Sequence, residues 1–171
     1  MHFDGIARGG VYLGVLREMI LLFKLSDRTE LDRHLGFLAN SALQGSDFHG
    51  RIDFFVPVPL HWRRRISRGY NQALVIAKKL THSSARINTD LVRIRYTKDQ
   101  PSMTSFRQRA LNAAGAFAVR QGHTFTGKNV CLIDDVKTSG ATLNECARVL
   151  KQAGATNVFA LVLAVAGQNI S

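Results

Sequence analysis

The segment Val130-Cys131-Leu132-Ile133-Asp134-Asp135-Val136-Lys137-Thr138-Ser139-Gly140-Ala141-Thr142 constrains the fold more than any other part of the chain. Val130–Ile133 is a continuous apolar run of strand length, the pattern of a strand buried on both faces. Two acids follow, then a turn of small and hydroxylated residues. Thr142 to Ala153 then has the period of a helix, with a Thr142-x-x-Glu145 capping-box pattern at its start and Gly154 just beyond its end. A second apolar run, Asn157 to Val165, closes the unit as another buried strand. Strand, crossover helix and strand in this order build a parallel sheet, so the fold class is α/β with helices flanking the sheet.

The rest of the chain fits that class. Val11–Leu25 predicts a helix that is apolar on most sides and therefore well buried, and Thr29–Leu43 a second helix. With the turn-rich stretch Gly45–Gly50 they form a helical preface, residues 1–50, to an α/β core over residues 51–171. At 171 residues the chain suits a single domain. Within the core, Ile52–Val58, Leu91–Tyr96 and Phe117–Val119 read as short strands, and Asn71–Leu80 and Ser105–Ala114 as helices. His61–Arg68 is a basic loop and Thr97–Met103 a polar one. The longest apolar run near the end, Val158–Ala166, falls far short of the roughly 20 residues of a membrane span. Met1-His2-Phe3-Asp4 lacks the order of a signal peptide, so no membrane insertion and a cytoplasmic location are expected. Two cysteines, Cys131 and Cys146, make neither a disulfide framework nor a CxxC pair. They read as small core residues of a protein from a reducing compartment, with no zinc in this chain.

The chemistry gathers where the apolar strand ends. Asp134 and Asp135 reach the C-terminal edge of the sheet, where open α/β sheets bind ligands. The turn Thr138-Ser139-Gly140-Ala141-Thr142 offers backbone N–H groups, hydroxyl donors and the positive end of a helix dipole. Gly140 removes the side chain that would hold an anion away. Acids followed by an anion cradle suit a sugar phosphate, with the carboxylates on the ribose hydroxyls and the turn on the 5′-phosphate. Mg²⁺, which keeps waters and substrate phosphates as ligands, fits nearby through indirect contacts to Asp134 and Asp135. No GxxxxGK[ST] occurs, which excludes a P-loop NTPase.

These residues resemble the phosphoribosyl-pyrophosphate (PRPP) motif of the type I phosphoribosyltransferases. The resemblance extends to Val56-Pro57-Val58-Pro59-Leu60, Arg68-Gly69-Tyr70-Asn71-Gln72-Ala73, and Gln100 with Arg107 to Phe117. Together with Tyr12-Leu13-Gly14 and Phe23-Lys24-Leu25, these stretches are similar to the ComF family of competence-associated and GntX-like proteins. The resemblance implies a type I phosphoribosyltransferase-like sheet. Asp134 and Asp135 would take the ribose hydroxyls directly or through Mg²⁺, and Thr138 to Thr142 the 5′-phosphate. It also implies a pyrophosphate loop at about Pro59 to Arg64 and a mobile catalytic loop at Arg93 to Arg107, with Arg93, Lys98, Gln100 and Arg107 among its residues. The chain departs from the pattern in two places. It lacks the family's four-cysteine zinc ribbon, so it is expected to be a shortened or start-truncated relative, and Ser139 stands where Thr is commoner. Purine enzymes acting on 6-oxopurines often place Asp where this chain has Thr138, which argues against such an acceptor and leaves the catalytic base unassigned.

Charge sharpens the alternatives. Residues 51–120 hold 14 Lys/Arg and 3 Asp/Glu, while the remainder balances, so the whole net charge of +11 sits in one stretch. Arg63, Arg64 and Arg68, in the run with Arg65, are either a solvated loop or pyrophosphate ligands, for which the guanidinium fork is suited. His61 reads as a surface residue or a ligand. Trp62 and Tyr70 interleave aromatics with the run, as single-stranded nucleic acid binders do. Two readings stand: a Mg²⁺-dependent enzyme using PRPP and a small-molecule, nucleobase-type acceptor, or a non-catalytic module binding single-stranded DNA or a competence helicase.

Overall fold

Neighbouring residues of a strand face opposite sides, so a run that is apolar throughout needs a hydrophobic layer on each face. The computed structural model, which describes residues 1–25, 29–60, 69–81, 84–95 and 106–167, supplies both. In chain order the elements are β1 (Gly5–Val11), α1 (Gly14–Leu25), α2 (Thr29–Gln44), β2 (Phe54–Pro57), α3 (Gln72–Lys79) and β3 (Arg86–Ile87). They continue as β4 (Leu91–Arg93), α4 (Phe106–Ala113), β5 (Phe117–Val119), β6 (Asn129–Lys137), α5 (Ala141–Gln152) and β7 (Asn157–Val165). A 3₁₀ turn at His49–Arg51 precedes β2. Five strands form one sheet in the order β1-β7-β6-β2-β3, every neighbouring pair parallel. β4 and β5 pair antiparallel in a separate ribbon.

The alternation sorts the core. Cys131 and Ile133 of β6, with Phe159, Leu161 and Leu163 of β7, bury against Ile20, Phe23, Leu35, Ala39, Ala73 and Ile76 of α1, α2 and α3. Val130 and Leu132, with Val158, Ala160 and Val162, bury against Leu143, Cys146, Ala147 and Leu150 of α5 and against Leu91 and Phe117 of the ribbon. β2 crosses to β3 through α3 on the first face, and β6 crosses to β7 through α5 on the second. The two connections therefore leave the central β2–β6 pair in opposite directions. That makes the C-terminal ends of β2 and β6 a topological switch point, the place where open α/β sheets leave a crevice.

Four expectations are corrected. Residues 1–50 are not wholly helical: Gly5–Val11 is an edge strand paired with β7. Its entry is fixed by Asp4, whose N–H donates to the Val158 carbonyl and whose carboxylate accepts from the Val158 N–H, both at 2.7 Å. Three glycines in Gly-Ile-Ala-Arg-Gly-Gly-Val mask the strand, because glycine has poor strand propensity. Second, α1 is not well buried all round. Ile20 and Phe23 are buried, whereas Val15, Leu22 and Leu25 are exposed, since one stripe meets the core and no described residue covers the other side. Third, β6 continues through Asp134 and Asp135 to Lys137, so the acids lie inside a strand that pairs Asp134 with Val162 and Lys137 with Val165. Fourth, the capping box does not form. The N-cap of α5 is Gly140, at φ +76°, and Glu145 instead accepts from the Gly115 N–H at 2.8 Å and binds Arg148. Among the described residues, no helix is long and apolar enough to cross a membrane.

Gly9 lets the helical layer sit on β1. A Cβ there would lie 2.6 Å from Leu38 Cγ and 2.7 Å from the Leu163 carbonyl oxygen. Gly9→Ala is expected to lower stability in urea unfolding by about 1–3 kcal/mol, the usual effect of overpacking. Gly50→Ala, with open space around the new methyl, should stay within about 0.5 kcal/mol of the parent. Equal losses in the two variants would contradict the close contact at Gly9.

Candidate functional site

The alternation that sorts the core also parts the two carboxylates. Asp135 continues the series Cys131–Ile133 and meets the α1 layer, where its Oδ2 is 2.9 Å from Lys24 Nζ. Its Oδ1 accepts from the Val136 N–H at 2.6 Å. Asp134 continues the series Val130–Leu132 toward the α5 and ribbon layer, and its Oδ1 accepts from the Asp135 N–H at 2.9 Å. Burial, and secondarily the charge of Asp135, push the Asp134 carboxyl up from the ordinary 3.8 to about 7, against the opposing pull of the Asp135 N–H, Lys24 and Arg93. The two acids thus differ in character: Asp135 is tied to a cation, and Asp134 titrates near neutrality.

Beyond Lys137 the chain turns through Thr138, Ser139 and Gly140 into α5. Thr138 is exposed and Ser139 half-buried, with its hydroxyl accepting from the Ala141 N–H at 3.4 Å. Gly140 adopts the left-handed backbone that glycine accommodates without strain. Ala141 is buried, and Thr142 lies in the first turn of α5. The Lys137 side chain folds over Gly140, its Cε 3.1 Å and its Nζ 3.8 Å from where a Cβ on Gly140 would stand. An ammonium, a helix N-terminus and small side chains thereby meet on one turn, an arrangement suited to a phosphate.

The opposite wall comes from the segment leading into α3. Tyr70 donates its hydroxyl to the Phe23 carbonyl oxygen, which ties this segment to the end of α1 beside Lys24. Asn71 caps α3, accepting from the Ala73 N–H at 3.0 Å while its amide donates to the Val58 carbonyl at 3.1 Å. Arg93, at the end of β4, stacks its guanidinium 5.1 Å from the centre of the Phe117 ring, and its charge reaches Asp134. Arg107 is exposed on α4. Arg63, Arg64, Arg68, Lys98 and Gln100 lie outside the described residues, as do His61 and Trp62. Asp134, Asp135 and Thr138–Thr142 therefore come together with Arg93. Sequence reasoning gave no role to Lys24 and Lys137. Lys137 stood in plain view, a cation directly before the phosphate-type turn, whereas Lys24 is 111 positions from Asp135 and nothing local links them. Cys131 and Cys146 are buried core residues whose thiols burial pushes up, so neither is a nucleophile.

The donor chemistry bears on Mg²⁺. Carboxylate oxygens are the right type of ligand, but among the described residues no three His, Cys, Asp or Glu side chains gather to hold a metal. The pair fits a magnesium ion that brings phosphate and water oxygens with it and does not form a cage of its own.

A parallel sheet with an acid pair and a phosphate-type turn at its switch point defines the type I phosphoribosyltransferase fold. The fold is shared with a glutamine phosphoribosylpyrophosphate amidotransferase from B. subtilis solved with ADP and GMP. That likeness has a TM-score of 0.51 and 19% identity and covers 83% of this chain and 30% of that one. The allosteric regulatory enzyme of purine biosynthesis matches at TM-score 0.50 and 19% identity, over 83% of this chain and 29% of that one. No protein-family model matches the chain. Within the fold, the chain is similar to the ComF competence proteins, in keeping with the sequence resemblance. It is 29% identical over 155 residues to Competence protein F of Haemophilus influenzae, covering 87% of this chain and 67% of that protein. It is 34% identical over 110 residues to Competence protein ComFC of Streptococcus pneumoniae and 33% over 108 to DNA utilization protein YhgH of Salmonella typhi. Of these two relatives it spans 47% and 46%, about half of their length.

The raised Asp134 carboxyl fixes a pH dependence. The folded state keeps a proton that the unfolded chain releases above about pH 4, so this group's stabilising contribution is full below that pH and is lost as pH rises through about 7. Asp134→Asn removes the contribution. Urea unfolding from pH 4 to 8 should show the variant gaining stability relative to the parent as pH rises; parallel profiles would contradict the assignment.

Proposed function

We propose that the chain binds PRPP in the crevice at the ends of β2 and β6 and transfers or accepts a phosphoribosyl group with a nucleobase-type acceptor. One observation carries the reading: the left-handed Gly140 turn opens α5 at the switch point directly behind an acid pair. The 5′-phosphate is held by the N–H groups and hydroxyls of Thr138, Ser139, Gly140, Ala141 and Thr142, with Lys137 as its counter-ion. Asp134 and Asp135 take the ribose hydroxyls, for which carboxylates are strong acceptors. The diphosphate lies toward the segment after β2, where Arg63, Arg64 and Arg68 supply guanidinium forks. Arg93 adds positive charge from the ribbon side. Mg²⁺, when it arrives with the diphosphate, neutralises the leaving group as charge develops on it. The remaining task is electrostatic, since positive character grows on the ribose ring as the diphosphate departs, and fixed carboxylates and cations need little rearrangement to meet it. Arg93 to Arg107 is the segment that closes over the ligand and excludes water. Thr138 offers no carboxylate to a purine nitrogen, so the acceptor is not a 6-oxopurine recognised in that way.

The relatives' names, competence and DNA utilization, favour a setting in DNA uptake. They also support a second reading, in which residues 51–120, with the whole of the +11 net charge, hold single-stranded DNA or a helicase partner without turnover. Titration calorimetry with Mg·PRPP separates the two. Saturable binding is expected, weakened by roughly 1.5–3 kcal/mol in Asp135→Asn through loss of a charged acceptor. No heat with PRPP, together with oligonucleotide binding whose log–log salt slope is about −0.7 per phosphate contacted, would favour the DNA module instead.

A further inference from the structure

The ion pair between Lys24 and Asp135 joins the end of α1 to the carboxylate that the proposed function gives to ribose. The pair is 2.9 Å long and largely shielded, the lysine side chain 23% and the aspartate side chain 15% exposed. Both ends are held. Phe23, the residue before Lys24, is buried in the core, and its carbonyl accepts from Tyr70. Asp135 sits inside β6, with its second oxygen on the Val136 N–H. Around the same edge Lys24, Arg93 and Lys137 outnumber the two carboxylates among the described residues. A site so charged attracts a phosphate and repels a free cation. The lysine belongs to α1, and its partner is the carboxylate of Asp135.

We propose that Lys24 is a positioning residue that serves as the resident counter-ion of Asp135, keeping free divalent cations off the carboxylate and yielding it to the hydroxyl groups of a bound sugar diol. The shared chemistry explains the exchange. An ammonium and a pair of hydroxyls both present hydrogen-bond donors to the same oxygen, so the sugar replaces one set of donors by another and the displaced ammonium stays beside the ligand's phosphates. A divalent cation without phosphate must displace Lys24 and leave its ammonium beside the metal, an unfavourable like-charge contact. The metal consequently enters only as a complex with the diphosphate. Tyr70, which precedes α3, is bonded to the residue before Lys24 and so links the lysine's position to that segment. The inference rests on the reading of Asp135 as a ligand-facing group, and its test uses no sugar, so that its failure is distinct from a failure to bind PRPP.

The test is binding of Mn²⁺ alone, followed by loss of the free-ion signal in electron paramagnetic resonance, with the full chain at neutral pH. The parent is expected to leave the signal unchanged at equal concentrations of chain and ion. Lys24→Met should bind one Mn²⁺ about tenfold or more tightly than the parent. Lys24→Arg, which keeps the charge, should match the parent, and the double variant Lys24→Met with Asp135→Asn should lose the gained binding. Lys24→Gln, of similar length and without charge, replaces the methionine variant if circular dichroism finds the latter unfolded. Tight binding of one Mn²⁺ by the unaltered chain overturns the inference by itself, and so does equal binding by the parent and the neutral variants.

Discussion

Alternation along β6 places two adjacent carboxylates on opposite faces of one sheet, and the rest of the site is arranged around that separation. The α1–α3 layer answers Asp135 with Lys24 at 2.9 Å, and the ribbon layer answers Asp134 with the charge of Arg93. In a strand paired to β7, each meets a different layer, and their properties diverge. Asp134, half-buried and next to an anion, has its carboxyl pushed up to about 7 by desolvation and the charge of Asp135, and Asp135 remains in an ion pair.

The same strand explains why the site lies where it does. β6 is apolar for as long as it runs between the two hydrophobic layers and turns polar where the layers end. The carboxylates begin at that boundary because one placed deeper in the sheet would be desolvated without compensation. The opposite directions taken by the connections after β2 and β6 then hold the crevice open, and the Gly140 turn starts α5 at its rim. Fold and site are thus consequences of one pattern: an apolar strand, two acids, and a turn in the left-handed region.

Much of this pattern was legible in the sequence. Asn157–Val165 and Phe117–Val119 have the same bounds in the structure as in the sequence reading. The parallel sheet followed from the order of elements. β1 did not emerge, since its glycines have no pattern of their own and it exists by pairing with β7 and accepting Leu38 closely over Gly9. The Thr142–Glu145 spacing was misleading for a tertiary reason: Glu145 is engaged by the distant Gly115 N–H and by Arg148, so it is not available to cap α5. The acids and the phosphate-type turn could be read because they are contiguous. Lys24 could not, because its significance depends on a long-range contact that no local spacing encodes.

The central claim is that one sugar phosphate spans the turn and the acid pair. It is tested most directly by amide chemical-shift mapping of the ¹⁵N-labelled chain with ribose 5-phosphate. The account predicts saturable shifts concentrated at Ser139, Gly140, Ala141 and Thr142 and at Asp134 and Asp135, with the turn shifts persisting and the acid-pair shifts reduced in Asp135→Asn. Shifts confined to other surfaces, or a turn that inorganic sulfate perturbs as strongly and in the same way as the sugar phosphate with no response at the acids, would contradict it.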